Sequence, residues 1–212
     1  MIFDYINDFL IGIVFTIFFL SVGFMFALNS STLYYKDVDL LELESAASLD
    51  KELIKQNYDE IVEYIKPTSK TKLQLSNFTL SDTAKKHLYE VKNIYKLIYI
   101  LSLFSGLTTM IIVFMKIRQQ EYRFLLVSSI VSSVIPFALL GGFATKFNES
   151  FSKLCNAIFT NSTWQLKAKA DPVVNILPAR FFQHSAISIF SFALVCGLCM
   201  LVLWKGLRNR VA

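Results

Sequence analysis

The sequence predicts a mainly α-helical membrane protein, with four transmembrane helices and a small extracellular α/β cap. Three observations predict it. Apolar runs fall at about 9–28, 97–114, 124–144 and 185–204, each near the ~20 residues that cross a hydrocarbon core. The 212 residues are 54% hydrophobic with a mean hydropathy of +0.50, more apolar than a soluble domain of this length. Twenty Phe against seven Gly suit apolar helices better than a Gly-rich soluble sheet. The net charge of +5 fits Lys and Arg gathered at helix ends and calls for no nucleic acid. The whole chain, 1–212, reads as one membrane domain, with the cap drawn from 29–93 and 145–183.

The first run, 9–28, carries no charge. Asp4 and Asp8 precede it, with no Lys or Arg and no clean small-residue cleavage pattern after it. It reads as a retained span and not a signal peptide. The segment 29–93 holds most of the chain's acids. Within it, 48–65 has helical spacing, with Leu49, Leu53, Ile54, Ile61, Val62 and Ile65 available for one face, and Pro67 ends the helix. Residues 72–80 alternate polar and apolar side chains and read as a short strand, which needs partners elsewhere in the cap.

Ser81 or Asp82 is placed to cap the next helix, which runs without a break into the second span. Lys116, Arg118 and Arg123 form a short basic loop before the third span, where Pro136 predicts a kink. The polar segment 145–183 follows, then the last span and a basic tail of Lys205, Arg208 and Arg210. Short-loop charge sets orientation, so both termini are expected in the cytoplasm and both polar segments outside.

Few residues offer chemistry. His87 is one of two histidines and sits at the start of the second long helix. It reads either as a solvated side chain or as a general base at the membrane surface, suited to neutral pH. Glu90, three residues on, shares a helix face with it and is within reach of the imidazole. Cys196 and Cys199 lie inside an apolar run and read as packed or lipid-facing, not as a redox pair. Cys155 lies outside the last span, and a reactive thiolate there needs a basic neighbour such as His87. Trp164 suits an interfacial belt, and Asp171 before Pro172 favours a turn. Apart from Lys96 near one end, no span carries a central acid or base, which argues against a transporter or channel.

Together these pieces resemble a known family. Tyr64-Ile65 follows a helix, and His87 to Lys92 reads H-L-Y-E-V-K. A basic inner loop comes next, then Phe147 and Phe151 four apart, Trp164, and D-P-x-x-x-x-L-P-x-x-F-F from Asp171 to Phe182. The pattern is similar to that of the bacterial lipoprotein intramolecular transacylases and covers nearly the whole chain.

The resemblance implies a four-helix bundle in the bacterial cell membrane with a β-rich outer cap. It implies an acyltransferase that works without metal or cofactor on diacylated lipoproteins held in membrane lipid. Such enzymes move an acyl chain from the diacylglyceryl group on a lipoprotein's N-terminal cysteine to that cysteine's own amine, leaving a lyso-form lipoprotein. Two histidines serve the family. The first maps onto His87. The second stands nine residues before the Trp, and that position here is Cys155.

The departure leaves three outcomes. Cys155 takes the acyl chain with His87 as its base, or His87 alone supports direct aminolysis. In the third, the chain is a catalytically inactive relative that binds lipid or a membrane-protein partner. The expected site is His87 and Cys155, with Glu90, Trp164 and Asp171 in support. His184, at the mouth of the last span, does not replace the missing histidine in sequence.

Overall fold

A computed structural model of the chain describes residues 2–159 and 161–211. Helices α1 (Ile2–Asn29), α2 (Ser31–Leu40), α3 (Leu43–Ala47) and α4 (Lys51–Ile65) come first. Helices α5 (Asp82–Arg118), α6 (Arg123–Thr145), α7 (Phe147–Ile158) and α8 (Ala179–Val211) follow. Short 3-10 turns at Ser162–Trp164 and Pro172–Ile176 lie between the last two. Four helices, α1, α5, α6 and α8, are long and apolar enough to cross a membrane. The chain divides into two compact units, one of Met1–Phe26, Ile98–Gly142 and Ile187–Ala212, the other of Ala27–Leu97 and Phe143–Ala186. The side chain of Arg210, counted in the basic tail, lies outside the described residues.

The first unit is built from apolar helix segments that approach closely at small residues, the usual way helices associate in lipid. A Cβ on Gly12 would meet Val131 Cβ at 2.9 Å, and one on Gly197 would meet the Ser132 carbonyl at 3.0 Å. Ser132 lies four residues before Pro136, so its carbonyl is the one a proline in α6 leaves without a helical N–H. The helix nevertheless continues through Pro136 to Thr145. Ile11, Phe15, Phe124, Leu125 and Met200 form the buried centre, with Trp204 packed on it. At one end of the unit the Arg123 guanidinium donates to Asp8 at 2.7 Å and lies over the Tyr5 ring. Phe104, Phe114, Phe137 and Val202 are exposed, as lipid-facing side chains are.

The second unit is also helical. Helix α4 starts at an Asp50 cap that accepts from the Glu52 N–H, and it buries Ile54, Asn57, Tyr58, Ile61, Val62 and Ile65. Leu49 and Leu53, expected on that face, are only half-buried; Asn57 and Tyr58 take the space. Helix α2 packs on α4, and α3 packs on the Pro172–Ile176 turn. Tyr34 and Tyr58 stack at 3.6 Å, Phe181 meets both rings edge-on, and the Tyr34 hydroxyl donates to the Ile176 carbonyl at 2.7 Å.

The expected α/β character of the cap is not found, since no strand forms among the described residues. Residues 72–80 bury Leu75 and Leu80, with Leu73 and Phe78 half-buried, and the alternation slips by one residue at the exposed pair Ser76-Asn77. Two of their backbone N–H groups, however, are taken up by side chains of α4. Ser76 N–H donates to Glu60 and Asn77 N–H to Asn57 Oδ1, at 2.8 and 3.3 Å. The segment therefore docks on one helix without a ladder, and its burial changes phase where the two backbone N–H groups meet α4.

Candidate functional site

Helix α5 begins at a cap of two residues from distant parts of the chain. Ser81 Oγ accepts from the Ala84 N–H at 3.1 Å, which makes Ser81 the cap and Asp82 the first helical residue. Asp171, 2% exposed, accepts from both the Ser81 N–H and the Ser81 hydroxyl, each at 2.9 Å. Its carboxylate also suits the positive end of a helix. One buried acid thus joins the turn at Pro172 to the helix that carries His87.

A second tether acts two turns on. Glu90 accepts from Asn161 Nδ2 at 2.9 Å and Thr163 Oγ1 at 2.6 Å. Those bonds hold its carboxyl below the usual carboxylate range. The hydrogen bond from the His87 imidazole to Glu90 that helix spacing allows is not made; the carboxylate has turned to the 161–163 loop. Trp164 ends that loop half-buried. Further along α5, Lys92 reaches the Ser69 carbonyl at 3.0 Å and lies 4.6 Å from the Tyr64 ring centre. The H-L-Y-E-V-K stretch is therefore fastened at Leu88, which is buried, at Glu90 and at Lys92.

His87 sits between these fastenings. The apolar part of α5, 97–114, starts ten residues later, so the ring belongs to the polar part of the helix. It is half-buried against Phe159, with ring centres 4.9 Å apart. Its Nδ1 is enclosed and has no hydrogen-bond partner. Burial pushes its pKa below the ordinary 6.5, and nearby Glu90 opposes that only in part. The ring is neutral at pH 7, the form able to accept a proton.

Cys155 lies on α7, where Phe147, Phe151 and Cys155 fall four apart on one face, and the extended residue Phe159 ends the helix. Phe147 and Phe151 stack at 5.1 Å, Phe151 stacks on Phe182 at 5.5 Å, and Phe159 meets His87. Cys155 is 5% exposed, and burial pushes its thiol pKa up. Among the described residues the thiol has no hydrogen-bond partner, and no cation stands by it to stabilise a thiolate.

The other histidine has a partner that sequence spacing did not reveal. Nδ1 of His184 lies 2.8 Å and 3.0 Å from the two carboxylate oxygens of Asp37. Asp37 is on the buried face of α2 with Tyr34 and Val38. That i, i+3, i+4 grouping is the one signal in the sequence, and it marks a face without naming a partner.

Comparison with known proteins now bears on this arrangement. The model of the family described as lipoprotein intramolecular transacylase Lit matches residues 9–182. The solved structure of the membrane integral lipoprotein intramolecular transacylase Lit from Bacillus cereus is similar with a TM-score of 0.91 at 27% identity, over 97% of this chain and 99% of that one. A form of the same Bacillus cereus protein with one histidine changed to alanine gives 0.85 at 27% identity, over 99% and 98% of the two chains. A form with a histidine changed to arginine gives 0.84 at 28% identity, over 98% and 95%. No curated protein matches the chain. With its helices, its multi-pass apolar segments and the ordered motifs all in agreement, the chain belongs to the lipoprotein intramolecular transacylase family, a family of membrane acyltransferases.

Proposed function

We propose that this chain moves an acyl chain from the diacylglyceryl group of a lipoprotein's N-terminal cysteine to the amine of that cysteine, with His87 as the general base. The lipoprotein is presented from the outer leaflet. The basic 116–123 loop and tail support a placement with both termini in the cytoplasm and the second unit outside the cell membrane. The observation that carries the role of His87 is its ring: neutral through burial, pressed on Phe159, and free of any partner at Nδ1. The histidine replaced in two of the Bacillus cereus structures supports a histidine as the residue of interest.

The reaction needs little else. The amine nitrogen attacks the ester carbonyl, a C–N bond forms, the C–O bond to glycerol breaks, and the amine proton ends on the glyceryl oxygen. Both reacting groups belong to one molecule, so holding them together is itself a large rate effect. The base contributes about 10²- to 10⁴-fold. Cys155 takes no covalent part in this scheme; its raised thiol pKa and lack of a basic partner favour direct aminolysis. Glu90 and Asp171 position the His87 helix, and Trp164 closes the loop that Glu90 holds.

Mass spectrometry of the N-terminal peptide of an abundant lipoprotein tests the reading. The host is one that makes only diacylglyceryl lipoproteins, with this chain expressed or absent. The N-acyl, S-monoacylglyceryl peptide is the expected product. An unchanged diacyl peptide, with the protein present in the membrane, refutes the activity and leaves an inactive lipid-binding relative.

A further inference from the structure

Helix α7 carries more apolar surface than the protein covers. At 3.6 residues per turn, Phe147, Phe151, Leu154, Cys155 and Ile158 fall within about 100° of its circumference. Glu149, Ser152, Lys153 and Asn156 take the opposite side, where Lys153 donates to Glu149 at 2.6 Å. The protein encloses Phe147 and Cys155. Leu154 and Ile158 are each left 43% exposed, one turn apart on the same edge. Helix α4 in the same unit is the contrast. Its stripe of Ile54, Ile61, Val62 and Ile65 is buried throughout.

What lies against the open edge follows from the chain before it. Helix α6 is long and apolar enough to cross a membrane. Its 23 residues span about 35 Å, against a hydrocarbon core of about 30 Å. The helix therefore ends close to a headgroup layer. Lys146 alone separates its last residue, Thr145, from Phe147 at the start of α7. That one-residue link holds the start of α7 near the same depth. A polar side, an aliphatic edge left open and a start at headgroup level are the properties of a helix that lies in the interface. A second copy of the chain or a soluble partner would have to reach Leu154 and Ile158 through the headgroups, whereas lipid is already there.

We propose that α7 is an interfacial helix whose Leu154 and Ile158 enter the headgroup–acyl boundary of the leaflet at that end of α6, with Glu149 and Lys153 turned to water. The occupant of the edge is the lipid of the membrane itself. The inference stands apart from the transacylase reading, since it needs no reaction. Phe159, the next residue after Ile158, meets the His87 ring. The lipid anchor is therefore one residue from the wall of the candidate base.

Two probes test the placement, one for lipid and one for water. For the first, the unmodified full chain is placed in phosphatidylcholine vesicles. These contain a phosphatidylcholine with a diazirine near the headgroup end of one acyl chain. After illumination, adducts are located by peptide mass spectrometry. They are expected at Leu154 or Ile158 as well as on the spans, where exposed Phe137 is the reference, and not on Glu52 and Glu63 of α4. For the second, Leu154→Cys, Ile158→Cys and Lys72→Cys are made one at a time in a chain whose three native cysteines are changed to Ala. A membrane-impermeant maleimide is expected to modify positions 154 and 158 at least about tenfold more slowly than position 72. Labelled spans with no adduct at 154 or 158 overturn the inference. So does modification of 154 and 158 at the rate of position 72, which would place the edge in water. If the cysteine variants do not fold, photolabelling of the unmodified chain decides alone.

Discussion

The two histidines of the second unit are provided for in opposite ways. His87 is pressed on a phenyl ring with an enclosed Nδ1 that nothing satisfies, and burial keeps it uncharged. His184 has its Nδ1 against a buried carboxylate and an open second nitrogen. The apolar wall favours the form of His87 that accepts a proton, whereas the carboxylate fixes the orientation of the His184 ring. The contrast shows that one small unit holds one imidazole by apolar enclosure and the other by a buried carboxylate.

The largest effect that would sharpen this contrast is His87→Ala. Lyso-form product is expected to fall by at least about 100-fold while the protein stays in the membrane, as mass spectrometry with a membrane blot would read. Product at the wild-type level would remove His87 from the chemistry.

Next comes Asp171→Ala. It removes two hydrogen bonds to Ser81 from a site that is nearly sealed. A loss of about 1.5–3 kcal/mol is expected, seen as a lower melting temperature in detergent. Activity should fall alongside it, because the cap of the His87 helix is loosened.

Phe159→Ala tests the apolar wall through pH. The folded His87 titrates below 6.5 because it is buried. On the proposed mechanism activity needs the neutral ring, so the wild type should hold its rate as pH falls somewhat below 6.5. With the wall removed the pKa rises towards the ordinary value, and the acid limb of the rate profile should move to higher pH. An unmoved limb would mean that Phe159 does not set the state of His87. The same sign governs stability. The unfolded chain takes up this proton more readily than the folded one, so the His87 contribution is present above 6.5 and is lost as pH falls below it through the lower folded value.

Cys155→Ala should have the smallest effect on rate. If the thiol only fills space on α7, product formation persists and a slight loss of thermal stability is all that appears. Loss of product with the fold intact would instead restore the thiol as a nucleophile.

How much of this was legible in the sequence differs between the two units. The four apolar runs follow from length and composition, which need no partner to be recognised, and all four became long helices. The Ser81 cap and the unbroken passage from Asp82 to Arg118 were equally local. The misread strand at 72–80 shows the limit of such reasoning. The sequence alternates, yet the burial slips at Ser76-Asn77, and a period does not say whether a neighbouring strand or the side chains of Glu60 and Asn57 meet the backbone. Helices α2 and α3 were hidden because their acids blur the apolar stripe that Tyr34 and Val38 define. At the candidate site, the importance of His87 came from the resemblance, and its apolar setting did not. The Asp37–His184 bond joins residues 147 positions apart, a separation that no local pattern spans.

The placement of the two tryptophans has an optical consequence. Trp204 packs on the apolar centre of the first unit with Arg208 near its ring, and Trp164 closes a polar loop of the second. Each unit therefore carries its own chromophore. Replacing either indole with Phe leaves a protein whose remaining emission follows one unit alone, so loosening of the polar unit can be told apart from dissolution of the bundle in a single heating experiment.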